Sequence, residues 1–278
     1  MLYPTYHDET QKTVVNGIVI PANQDGMTDL NMELDALFNH PNTGPFICAQ
    51  LIQHLVTSNP SPAYVYRVAQ VFANDGKGVR GNLAAVVTAI LLDYEARSLT
   101  LAADSGYGKL KEPLLRMTGL YRAFKGASEE GRYPIYNAQD ALGEAALRAQ
   151  TVFNFFEPGY VQQGSLASAG LLAPEFQITT ATTAITVPNS IYSAIYTPAA
   201  PSASTIVLDL SSLTANSANP GAMVATLNQL LCGNSMGAQT QQAIESALSS
   251  ASAGASSNAL VQMALYLAAT SPDAAVQK

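Results

Sequence analysis

The chain is short of charge. Asp, Glu, Lys and Arg make up 12% of its 278 residues, about half the usual share, while 48% are apolar. That composition excludes a disordered, highly charged polypeptide and leaves Ser, Thr, Asn and Gln to supply the polar surface. Cations are scarcer still: thirteen Lys and Arg face twenty Asp and Glu, for a net charge of −7. This is the wrong sign for gripping a phosphate backbone, so nucleic acid is not an expected partner. Long apolar runs are missing too. The longest, from Leu83 to Leu92, has ten residues, against the ~20 a membrane-spanning helix needs; no membrane span is expected. The opening MLYPTYHDETQK has no basic stretch followed by an apolar one, so no signal peptide is visible.

Several sequence signatures of chemistry are also absent. No pair of histidines stands four apart around a Glu, and no paired cysteines mark a zinc ribbon. There is no G-x-S-x-G elbow and no Walker spacing with its Lys-Ser/Thr pair. No cofactor is expected. The two cysteines, Cys48 and Cys232, each sit in an apolar helical pattern. Buried thiols are the ordinary reading, with a disulfide or a reactive thiol left open, and the redox compartment undecided.

Residues 1–157 hold 28 of the 33 charged side chains. Only Glu175, Asp209, Glu245, Asp273 and Lys278 fall in residues 158–278, which are rich in Ala, Ser and Thr. A composition boundary is therefore expected near Gly159, with a charged helical region 1–157 and a helical region 158–278 packed on it. The stretches Thr197 to Ser204 and Ser249 to Ser257 read as loops.

Helix signals dominate both parts. Leu30, Leu34, Leu37 and Phe38 share one face of a helix that begins after Asp25 or Thr28 and ends before His40-Pro41. Pro45 and Ser61-Pro62 open two more, the proline's missing N–H costing nothing in a first turn. Leu83 to Ala96 is apolar nearly all round and reads as central. Glu112-Pro113 opens a helix with Leu114, Met117, Leu120, Tyr121 and Phe124 inward. Further helices are expected over 138–150, from Pro174 to an interruption at Pro188, and over 220–232, 238–250, 258–270 and 272–278. Thr205 to Leu210 is β-rich and predicts a short strand. The pattern adds up to an all-α protein, an irregular array of about ten helices with at most one short strand.

Candidate site residues are few. His7-Asp8 could hold a metal or act as an oriented acid/base pair, with a capping or surface role as the alternative. His40 suits a helix C-terminus, and His54, on an apolar face, suits the core. Asp25, Asp29, Glu33 and Asp35 resemble a calcium loop, but with Gly26 in the sixth position the first and twelfth positions are Pro21 and Met32, which excludes an EF-hand. An irregular cation site or a helix N-terminus favoured by carboxylates are the readings left. Lys77 to Asn82, with Lys77 and Arg80, precedes a helix N-terminus and could hold an anion; Arg116 is a third candidate anion ligand. Glu112 is a candidate acid or base. Glu129-Glu130 reads as solvated loop charge, and Phe153, Phe155, Phe156 and Tyr160 as core or as a ligand platform.

The blocks HDETQK at 7–12, LDALFNHPNTGPFICAQLIQHLVTSNPSPAYVYRVAQVF at 34–72, RGNLAAVVTAILLDYEAR at 80–97, KLKEPLLR at 109–116 and APEFQI at 173–178 resemble the bacterial family called domain of unknown function 1800. The closing SPDAAVQK is similar to that family's last segment. His54 stands where the family pattern LIxRLV has an arginine. Members are typically larger, so the chain looks like a C-terminal half. The resemblance carries no agreed catalytic residues. It implies an exported, secreted or periplasmic protein and a sulfatase-like partner protein. With no recognisable nucleophile or metal motif, the expectation is a non-catalytic binding module for a partner protein or a glycan. The alternative is a metal-assisted or acid/base hydrolase of a polysaccharide or sulfated substrate, using His7 and Asp8 with Arg67, Arg80, Glu112 and Arg116 in a cleft. Substrate, oligomeric state and metal content are not legible.

Overall fold

Side chains that stop and start helices dictate how the chain is cut. A computed structural model describes residues 3–135, 137–152, 154–196 and 202–278. They form two compact units, residues up to 55 with 60–98, and residues 56–59 with 99–278.

The first unit opens with a 3-10 turn, Pro4–Tyr6, and a small antiparallel hairpin of β1 (Lys12–Thr13) and β2 (Val19–Ile20). Helix α1 (Gly26–Asn39) starts where the Asp25 carboxylate accepts from the backbone N–H of Met27 and Thr28. Helix α2 (Thr43–Leu55) follows, then α3 (Pro62–Ala73), whose N-cap Ser61 accepts from the Tyr64 N–H at 3.0 Å. The expected helix over Leu83 to Ala96 is divided at Asp93 into α4 (Leu83–Leu92) and α5 (Tyr94–Arg97). Asp93 is extended (φ −61°, ψ 146°) and its carboxylate caps Glu95, so one residue ends the first helix and starts the second. Nor is α4 central: Val86 and Ile90 are buried, but Leu83, Leu91 and Leu92 are exposed. In α1 the face carrying Leu30, Leu34, Leu37 and Phe38 is also exposed, while Asp29 and Ala36 are buried. His54, expected in the core, is exposed on the last turn of α2.

The second unit runs through α6 (Leu99–Ala102), β3 (Lys109–Leu110), α7 (Pro113–Ala123), α8 (Ala138–Leu142), α9 (Ser165–Ser168) and a 3-10 turn, Pro174–Ile178. Then come α10 (Thr183–Ile195), α11 (Ser211–Thr214), α12 (Pro220–Cys232), α13 (Ala238–Ala251), α14 (Ser257–Thr270), α15 (Pro272–Ala275) and β4 (Val276–Gln277). Strand β4 pairs antiparallel with β3, so the chain's last residues close onto residue 109. Helix α14 is the axis of the core, with Leu260, Val261, Ala264, Leu265, Ala268 and Ala269 all buried. Around it pack Met117 and Leu120 of α7, Phe124 just past its end, Ile191 of α10, and Met223, Val224 and Leu227 of α12. At ~1.5–3 kcal/mol for each large apolar side chain withdrawn from water, this cluster dominates the unit's stability.

The protein is all-α apart from four two-residue strands among the described residues. Fifteen α-helices replace the expected ten, because six of them are only four or five residues long and have no periodicity to read. The helix expected over 138–150 stops at Leu142: Gly143 takes a left-handed conformation (φ 78°) and Leu147 another (φ 60°). Thr205 to Leu210 is not a strand but a single bridge between Val207 and Ala127. Pro174 opens a 3-10 turn rather than a long helix, and α10 runs through Pro188. Residues 272–278 are split between α15 and β4. Part of the predicted loop 197–204, and Phe153, lie outside the described residues.

Candidate functional site

In the first unit the histidine chooses a different carboxylate from its neighbour. His7 Nε2 lies 3.1 Å from Asp29 Oδ2, which also receives Lys12 Nζ at 2.7 Å, while Gln24 donates to Asp29 Oδ1 at 3.2 Å. Asp29 is buried in the first turn of α1, where a carboxylate suits the helix dipole. Asp8 is exposed and accepts from the Thr10 N–H, which lowers its pKa. His7 and Asp8 thus each contact a different group, and among the described residues no group of three or more His, Cys, Asp or Glu could hold a metal ion.

The other first-unit candidates are engaged in holding the fold. Arg67 forks onto Asp93 with two 2.8 Å contacts and reaches Glu95 at 2.8 Å, with its guanidinium 4.7 Å from the Tyr94 ring centre. The Arg67 guanidinium holds Asp93 below the usual carboxylate range. Arg80 donates to the carbonyls of Phe38 and His40 at the end of α1 and lies against the Phe38 and Phe72 rings. In the loop before α4, Asp75 accepts from the N–H groups of Lys77 and Val79, and Asn74 from those of Gly76 and Gly78. Four N–H groups of this loop are thus bonded to internal acceptors, and Asn82 takes the Ala85 N–H at the start of α4. His40 Nδ1 accepts from the Asn42 N–H beside the same helix end.

In the second unit, several carboxyls gather around one buried ammonium. Lys109 is buried, with Nζ 2.9 Å from Glu175 Oε1 and 3.9 Å from Glu112 Oε1. Glu144 is also buried and accepts from the Leu114 N–H at 2.7 Å, capping α7 from a distant loop, since the N-cap Glu112 uses no side-chain bond for that purpose. Three carboxyls therefore share one ammonium. Burial first, then the neighbouring Glu112 carboxylate, pushes Glu144 up to about 7, against the opposing Leu114 N–H and Lys109. Glu112 is placed here, its carboxylate a neighbour of Glu144. Glu175 Oε2 is buried with no hydrogen-bond partner among the described residues.

Arg116, one turn further along α7, has no ion pair among the described residues: it donates to the Ala269 carbonyl at 3.2 Å, and burial lowers its pKa. The thiols of Cys48 and Cys232 are free and buried, in separate units, and burial pushes Cys48 up to about 11.

Beside the Glu112–Glu144 pair lies a cleft. One cavity of about 630 Å³ is lined by Leu114, Tyr133, Asn137, Gln139, Asp140, Ala145 and Arg148 among others. A second, of about 330 Å³, is lined by Gln139, Gln150, Asn154, Phe155, Glu157 and Gln177 among others, so Gln139 is a wall common to both. The side-chain amides of Asn137, Gln139 and Gln150 have no hydrogen-bond partner among the described residues, and Tyr133 is exposed. Phe156 is buried beneath, whereas Phe155 and Tyr160 are half-buried.

Comparison with protein-family models gives one full-length match: the family described as Protein of unknown function (DUF1800) matches residues 1–276. The chain belongs to the DUF1800 family. No curated protein and no solved structure matches it. No helix among the described residues of this DUF1800 protein is long and apolar enough to cross a membrane. Of its notable side chains, Glu144, Lys111 and the cleft amides escape a reading of the sequence alone. Asp29 belongs to the acidic run read there as carboxylates at a helix N-terminus; Glu144 reaches its partner across thirty residues.

Proposed function

We propose that this DUF1800 protein is an exported, non-catalytic binding module whose ligand is a glycan, held in the cleft along α8. One observation carries the reading: an exposed tyrosine and a row of uncommitted amides line two cavities with a common wall. A sugar ring offers C–H faces to an aromatic side chain and hydroxyls that each donate and accept. Asn and Gln answer with paired donors and acceptors, and a cleft of this volume is the usual size for a small ligand. Export, to the periplasm or beyond, rests on the family resemblance, as does a sulfatase-like partner protein, which a pull-down from the native host would test. For the glycan, a panel of neutral and acidic oligosaccharides is titrated calorimetrically against the full chain. Saturable binding that weakens about tenfold or more in Tyr133→Ala and Gln139→Ala is expected. No binding, or equal binding by both variants, defeats the proposal.

A second reading, an acid/base hydrolase, has one observation in its favour. Leu114 and Ala145, which line the larger cavity, flank the Glu144 carboxyl, whose pKa of about 7 suits proton transfer near neutrality. Turnover of chromogenic glycosides that disappears in Glu144→Gln would put this reading first. Neither Glu112 nor Glu144 is among the residues lining the cleft, which is why binding ranks above catalysis.

A further inference from the structure

Within the second unit a cavity of about 290 Å³ lies where α7 meets the last turns of α12 and α14, with β4 alongside. Lys111, Arg116 and Arg122 line it, and no lining residue is acidic. In a chain of net charge −7, three cations facing one hollow without a carboxylate call for a physical account.

Part of the account is internal. Lys111 donates to the Leu231 carbonyl at 3.1 Å and Arg116 to the Ala269 carbonyl at 3.2 Å, so each meets the negative end of a helix, α12 and α14 respectively. Two helix ends supply about one negative charge between them, against three positive ones. About two positive charges are left over. Donors are left over as well: an ammonium has three and a guanidinium five. Arg116 Nε is buried with no partner among the described residues. Burial lowers the Lys111 pKa; the nearby Cys232 sulfur opposes this, and Arg116 adds a smaller repulsion.

The geometry points to a binding site for a dianionic tetrahedral oxyanion, the phosphate of a small phosphomonoester or the free ion, held by Lys111, Arg116 and Arg122. A carboxylate would neutralise only half of the excess, whereas a phosphate monoester carries about −1.5 to −2 at neutral pH with three acceptor oxygens. Leu115, Leu230 and Ile191 line the rest of the cavity and suit a short organic body. None of the three cations lines the cleft along α8, so this site stands or falls apart from the glycan reading.

The test is calorimetry and thermal unfolding of the full chain with inorganic phosphate, glycerol 3-phosphate and chloride at matched ionic strength. A saturable rise in Tm with phosphate but not chloride is expected, fading below about pH 7 for the free ion and below about pH 6 for the ester as each takes up its second proton. Arg122 is exposed, so Arg122→Gln should fold and weaken binding about tenfold or more. Arg116→Gln should abolish saturation. Glycerol 3-phosphate binding at least tenfold more tightly than phosphate identifies the ester as the ligand, and equal binding identifies the free ion. A rise no larger than chloride's, or one unchanged in Arg122→Gln, overturns the site. So does an Arg116→Gln protein that melts earlier yet binds phosphate as before, because Arg116 would then serve only to cap α14.

Discussion

Buried charge is handled differently in the two units. In the first, the Asp29 carboxylate accepts from Lys12 and Gln24 with His7 Nε2 3.1 Å away, and the Arg67 guanidinium is clamped between Asp93 and Glu95, while Glu33 Oε2 is buried with no hydrogen-bond partner among the described residues. In the second, Glu112, Glu144 and Glu175 crowd a single Lys109, while Lys111 and Arg116 sit in a hollow with no acid lining it. Packing runs the other way. The second unit buries six residues of α14, whereas the first leaves apolar faces of α1 and α4 half-exposed. A well-packed core can tolerate imbalanced charge that a thinner one could not, and imbalance of this kind collects where a protein binds or transfers something. The contrast is why the functional reading belongs to the second unit.

The largest effect expected from this contrast concerns the core. Leu265 is fully buried in α14, and Leu265→Ala should cost about 2–5 kcal/mol in urea unfolding. A loss under about 1 kcal/mol would show that α14 is not the axis described. Next is the first-unit clamp. Arg67→Ala leaves Asp93 and Glu95 without their cation; because the arginine is itself partly exposed, a loss of about 2 kcal/mol is expected rather than the full cost of stranding a buried charge. If Arg67→Ala proved neutral, first-unit charges would be no better matched than those of the second.

Third comes pH. Glu144 is raised from an ordinary 4.5 to about 7 in the fold, so between those values the native state holds a proton that the unfolded chain has released. Its contribution is therefore complete below about pH 4.5 and is lost as the pH rises through 7. Glu144→Gln keeps an acceptor for the Leu114 N–H and removes the titration. Relative to the parent, it should be equally stable at pH 4 and more stable at pH 8, by on the order of 2 kcal/mol. Denaturant melts at the two pH values measure this, and a difference independent of pH would mean that burial does not raise the Glu144 carboxyl in the fold.

Much of the helical frame is readable because its signals are local. Ser61-Pro62, Pro220 and Ser271-Pro272 each open a helix as the cap and first-turn grammar requires. Where reading failed, the deciding contact was either a single residue or a distant one. Asp93 and Gly143 cut apolar patterns that looked continuous. Strand β4 has no identity until it pairs with residues more than 160 positions earlier. The site follows the same rule: Arg116 stands out as a cation on a helix, but its carbonyl partner lies 153 residues away. No spacing in the sequence marks Glu144 as the cap of α7. The helical class survives these errors because burial of amphipathic faces, not any one boundary, determines it.

The smallest expected effect tests the thinner unit. Met27, Leu30, Leu34 and Leu37 form a stripe along α1, and Leu34 is 52% exposed. An apolar stripe with period near 3.6 ordinarily marks the face a helix buries, yet here the buried residues of α1 are Asp29 and Ala36. The stripe therefore contributes little to the fold of the isolated chain, and Leu34→Ser should shift stability by no more than about 0.5 kcal/mol, as at other surface positions. Thermal melts at two protein concentrations a hundredfold apart provide the check. A loss above about 1 kcal/mol that is independent of concentration would place Leu34 inside the first unit's own core. A loss that grows with concentration would mean instead that another copy covers the stripe, and the first unit would then owe its thin packing to surface it buries only on association.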